Sequence, residues 1–82
     1  MLKIYTDFNE ATSGDLCWLL LYQGTDLAKL VTELRLTKGQ KVLLYQDEDD
    51  FEVVATLDYT YVDMLGRDEW VARPDWSTLK RK

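Results

Sequence analysis

The clearest signal in the chain is an alternation of apolar and polar positions. Phe51, Val53, Ala55, Leu57, Tyr59 and Tyr61 recur at every second residue, and side chains two apart on an extended chain share a face, so Phe51 to Tyr61 predicts a strand. Gln40 to Gln46 predicts another, with Asp47-Glu48-Asp49-Asp50 between them as a hairpin loop. A reversal at Met64-Leu65-Gly66-Arg67-Asp68 leads into a strand over Glu69 to Arg73 that Pro74 ends. Asp75 to Leu79 then predicts a tight turn and a closing strand.

The first half of the chain is less regular. Leu2, Ile4 and Phe8 suggest a short first strand, and the polar, glycine-bearing stretch Asn9 to Asp15 marks a loop. Leu16 to Tyr22 is apolar on both faces, as in a central strand covered twice or a strand that meets another subunit. Gln23-Gly24-Thr25 breaks it. From Asp26 to Arg35, the spacing of Leu27, Leu30, Val31 and Leu34 fits one face of a short helix. Asp26 at its start and Arg35 and Lys38 near its end suit the helix dipole, with Gly39 as terminator. Alternation of Leu30, Thr32, Leu34 and Leu36 supports a strand over the same stretch instead.

Five or six short strands and one short helix predict a mainly β domain. They are too few for a two-sheet sandwich. A small barrel of the Src-homology-3-like kind manages strand edges well, and a strongly bent antiparallel sheet packed against one short helix is the alternative. With 82 residues, 46% of them hydrophobic and three of them Trp, one core is expected. Residues 1–79 form the expected domain and 80–82 a frayed basic tail.

Ala55-Thr56-Leu57-Asp58-Tyr59 and Asp68-Glu69-Trp70-Val71-Ala72-Arg73 resemble two strands of proline-peptide-binding Src-homology-3 domains, the Ala-Leu-Tyr-Asp-Tyr strand and the Trp-Trp strand. The two stretches stand much closer together here than in that family, with Leu57 in place of the first tyrosine and Val71 in place of the second tryptophan. No ligand is carried over on this likeness.

Charge narrows the list of partners. Ten basic residues against fifteen acidic ones give −5 overall, and the excess lies wholly in residues 42–82, with five basic and ten acidic residues. Nucleic-acid backbones and anionic membranes draw affinity from Lys and Arg, so both are disfavoured. The single Cys17 reads as a small buried hydrophobe in a reducing compartment. The start of the chain lacks the apolar run of a signal peptide and the longest apolar run, Leu16 to Tyr22, is too short for a membrane span. The expected location is cytoplasmic.

The chain contains no histidine. Ser-His-Asp and Cys-His mechanisms are therefore absent within one chain, and one Cys cannot build a zinc cage. The glycines are dispersed, so no phosphate-cradling loop forms, and no cofactor is implied. Asp47, Asp49 and Glu52 offer oxygen ligands for weak binding of a hard cation, although a loop of like charges is first of all a solvated hairpin tip. The remaining candidates are aromatic. Tyr59, Tyr61, Trp70 and Trp76 all lie in the C-terminal half. If Trp70 faces Tyr59 across a hairpin, the rings form a binding shelf; the competing reading makes Trp70 core and leaves Trp76 as the exposed ring.

The sequence thus favours a noncatalytic protein-interaction module with an aromatic or apolar patch and an acidic rim. It binds a protein segment or a second copy of itself, the latter through Leu16 to Tyr22. An accessory domain of nucleic-acid or translation machinery is the alternative, on fold analogy alone.

Overall fold

A computed structural model describes residues 1–9, 16–46 and 51–81. The strands are β1 (Leu2–Thr6), β2 (Leu20–Tyr22), β3 (Thr25–Asp26), β4 (Lys41–Tyr45), β5 (Phe51–Val62), β6 (Arg67–Pro74) and β7 (Lys80–Arg81). A 3₁₀ turn over Leu27–Leu30 runs directly into a single helical turn, α1 (Val31–Leu34). The chain is therefore mainly β with one short helix, and helix prevails over strand after Asp26. The Asp26 carboxylate caps that segment by accepting the Ala28 N–H at 3.1 Å. Its end differs from the one expected at Gly39. Arg35 adopts φ 53° and the Leu36 N–H donates back to the Val31 carbonyl at 3.0 Å. This left-handed stop brings Leu36 into the core, where it is buried.

All seven strands belong to one sheet, ordered β3-β2-β1-β4-β5-β6, with β7 paired to the start of β5. The sheet is bent but not closed. Its pairs are antiparallel except β1 and β4, which run parallel with Leu2 opposite Val42 and Tyr5 opposite Tyr45. Gln23 and Gly24, at φ 51° and 83°, join β2 to β3; positive φ at both positions of a two-residue link is what a type I′ hairpin turn requires. Lys80 and Arg81, expected in a frayed tail, instead pair with Glu52 and Phe51 as β7.

Leu16 to Tyr22 is not one strand. Only Leu20–Tyr22 joins β1 and β3, while Cys17 forms a separate antiparallel bridge with Ala72 of β6, two N–H to carbonyl bonds of 2.9 Å. One short segment thus touches both ends of the sheet order. Its apolar positions are divided accordingly, Cys17 and Leu20 entering the core and Leu16, Trp18, Leu19 and Leu21 remaining half-buried.

The core lies on one face of the sheet. Ile4, Val42, Leu44, Val53, Ala55 and Leu57 supply it from three neighbouring strands, with Leu27 and Leu36 from the helical segment and Cys17, Leu20 and Ala72 from the crossing. Two polar side chains, Thr6 and Gln46, are buried among the described residues. Thr6 is fully buried and its hydroxyl has no hydrogen-bond partner among the described residues. A buried hydroxyl without a partner costs about 1–3 kcal/mol, so Thr6→Val, which keeps the shape, is expected to raise stability by about 1 kcal/mol. A lower urea midpoint for this variant would show that the hydroxyl is satisfied. Among the described residues, no helix is long and apolar enough to cross a membrane.

Candidate functional site

β5 is twelve residues long and outruns its neighbour. β4 pairs with Glu52 to Thr56, and the last contact on that side is Leu57, whose N–H donates to the Gln40 carbonyl at 2.8 Å and whose carbonyl accepts from Gly39 at 2.7 Å. β6 follows β5 all the way to Val62. Residues 58–62 and 67–71 therefore overhang the end of β4 as a two-stranded ribbon, about 16 Å long at 3.3 Å per residue. A turn closes the ribbon. The Val62 carbonyl accepts from Leu65 and Gly66, at 3.0 and 2.9 Å, and Gly66 takes φ 66°.

The alternation along β5 changes meaning at this overhang. From Val53 to Leu57 the odd-numbered residues fill the core. Beyond it, Tyr59 and Tyr61 continue on the same face but have outrun the elements that would cover them, and are 43% and 57% exposed. Trp70 is the cross-strand partner of Tyr59, with ring centroids 5.5 Å apart and planes at 58°. It is half-buried and packs on the core. Trp70 thus packs against the core and also meets the ring of Tyr59 at a tilt. On the opposite face, Val62 and Val71 are buried outside the main core cluster.

Trp76 does not join this group. It is 45% exposed and lies with Phe8 and Phe51, at centroid distances of 5.6 and 6.5 Å. Phe51 and Tyr59 are eight positions apart on β5, about 26 Å along an extended strand. The Asp75 turn sets the Trp76 ring: Asp75 accepts from the Ser77 N–H and hydroxyl, at 3.1 and 2.6 Å, and its own N–H donates to the Val54 carbonyl at 2.8 Å. Those two bonds from Ser77, the hydroxyl's first, hold the Asp75 carboxyl below its ordinary pKa of 3.8.

Acidic side chains rim the overhang. Asp58 accepts from the Tyr59 N–H at 2.8 Å and from Arg73 at 3.3 Å, with Lys38 3.7 Å away. The Tyr59 N–H, followed by Arg73, keeps its carboxyl below the usual 3.8. Glu69 accepts from the Trp70 N–H at 3.1 Å and pairs with Arg67 at 3.2 Å. Asp63 and Asp68 are exposed, and no ion pair engages them among the described residues.

Of the candidate cation ligands, Asp47 and Asp49 lie outside the described residues. Glu52 is engaged by Lys3 at 3.5 Å. Among the described residues no three metal-ligating side chains gather. A different aromatic pair emerges on the outer face of the sheet, where Tyr5 and Tyr45 meet edge to face at 5.7 Å beside Leu21 and Gly24, around a depression of about 250 Å3. Lys3 lies 5.1 Å from the Tyr45 ring centre. No sequence signal marks this pair, because the parallel register of β1 and β4 creates it. No protein-family model matches the chain, and neither do curated proteins or solved structures.

Proposed function

We propose that the chain is a noncatalytic interaction module whose overhanging ribbon binds a cationic protein segment. The observation that carries this reading is the coincidence of Tyr59, Tyr61 and Trp70 on one face with Asp63 and Asp68 exposed at its rim. Rigid aromatic rings supply contact area at low entropic cost, and they dominate binding energy where water is excluded around them. The net charge of −5 favours a basic partner by steering its approach. Cytoplasmic residence fits a buried thiol that needs no oxidising compartment.

The test is titration of fluorescein-labelled peptides of matched length, rich in Lys/Arg plus an aliphatic anchor, neutral, or acidic. Binding is read by anisotropy. The basic peptides are expected to bind, and Tyr59→Ala/Tyr61→Ala to weaken them at least about tenfold, since each central aromatic contributes on the order of 1–2 kcal/mol. Equal affinity for all three peptides, or for wild type and variant, would remove the proposal.

A further inference from the structure

Among the described residues, the overhang leaves the outer edges of β5 and β6 without a paired strand, although β2 and the 3₁₀ turn lie close to β6. Backbone polar groups of successive strand residues point to opposite sides. Leu57 directs its N–H and carbonyl toward β4, so Tyr59 and Tyr61 direct theirs the same way, past the point where β4 pairing stops. Ala72 directs its own toward Cys17, away from β5, and Trp70 and Asp68 follow. An open edge of β-prone residues is a template for pairing with another chain. Tyr59-Thr60-Tyr61 is also self-complementary: in an antiparallel pair centred on Thr60, Tyr59 of one copy meets Tyr61 of the other, an arrangement that closes by two-fold symmetry.

Each edge nevertheless carries a carboxylate that occupies its N–H. Asp58 accepts the Tyr59 N–H and Glu69 accepts the Trp70 N–H. The two residues whose donors are taken are themselves a cross-strand pair, so both sides of the ribbon are blocked at the same level. Cations hold both acids there, Arg73 and Lys38 on Asp58 and Arg67 on Glu69. We infer that Asp58 and Glu69 are edge guards, whose hydrogen bonds to Tyr59 and Trp70 stop the ribbon from pairing edge to edge with a second copy of the chain. The inference does not depend on what the aromatic face binds.

Two variants of equal charge separate the hydrogen bond from the charge. Asp58→Ala/Glu69→Ala removes both. Asp58→Asn/Glu69→Gln removes the charge but keeps an amide oxygen that accepts an N–H. Sedimentation velocity over a concentration series is expected to show the alanine variant self-associating at concentrations where wild type and the amide variant sediment alike. Amide hydrogen exchange in dilute samples should quicken about tenfold at Tyr59 and Trp70 in the alanine variant only, while Leu57 and Ala72 keep their protection. Association of the amide variant to the same extent would assign the effect to charge and overturn the inference, as would an alanine variant that sediments like wild type. Should the double alanine variant lose protection at Leu57 and Ala72, Asp58→Ala alone opens only the β5 edge, and the same two outcomes decide.

Discussion

Leu44→Ala is expected to destabilise the fold by about 3 kcal/mol, the usual cost of truncating a leucine in a packed core. Leu44 is fully buried, and its register neighbours are Ile4 on β1 and Val53 on β5, both fully buried too. It stands at the centre of the three strands that build the core, where each flanking side chain is itself fixed by the sheet. The cavity therefore cannot collapse cheaply. A domain of this length has a total stability of roughly 4–12 kcal/mol, so the loss is a large share. Leu43, one residue back on the outer face and half-buried, supplies the control: its alanine variant should cost about 1 kcal/mol, in keeping with less apolar area removed from water. Urea denaturation followed by Trp fluorescence measures both. Equal losses would show that the two faces of β4 have been assigned wrongly.

The second large effect is expected at Ala72, from addition rather than removal. Ala72→Leu should cost about 2–3 kcal/mol, the upper part of the range for overpacking. Ala72 has no exposed surface, faces Leu57 across β5 and β6, and exchanges both of its outward hydrogen bonds with Cys17. Three extra carbons there press against the crossing segment before they disturb the β5–β6 ladder. The buried thiol reports on that segment directly. Its labelling by a disulfide reagent under native conditions should accelerate in the variant, because local opening exposes a residue without global unfolding. Lowered stability with unchanged thiol protection would place the strain elsewhere.

Much of the fold is legible in local pattern. Alternation from Phe51 to Leu57 identifies the core strand, leucine spacing with Asp26 at its start favours the helical segment over the competing strand, and Pro74 marks the end of β6. Patterns fail where the meaning of a position is set by a distant partner. Tyr59 and Tyr61 keep the same period as Val53 and Leu57, and only the stopping point of β4 makes them surface. Leu16 to Tyr22 looks like one strand because it is apolar throughout, yet it changes neighbours from β6 to β1 along its length. The candidate site is legible to the same degree. Pairing of Tyr59 with Trp70 follows from a hairpin and was accessible, whereas the grouping of Trp76 with Phe8 and Phe51 joins residues from three separate parts of the chain. A turn fixed by Asp75, Ser77 and Thr78 produces it, and no periodicity announces a turn's destination.

The parallel pairing of β1 with β4 also constrains how the chain reaches this state. β5 and β6 are joined by a short turn and can form their ladder early, since closing a small loop costs little entropy. β1 sits between β2 and β4, and its partners in β4 are forty positions away in sequence. Everything between, including β2, β3 and the helical segment, lies inside the loop that this pairing must close. On a ribosome the first strand emerges long before β4, so Leu2, Lys3 and Ile4 lack their β4 partners while the middle of the chain is made. Only Tyr5 and Thr6 have an earlier partner, in Leu21 and Leu20 of β2. The centre of the finished sheet thus joins two segments that are made far apart in the chain.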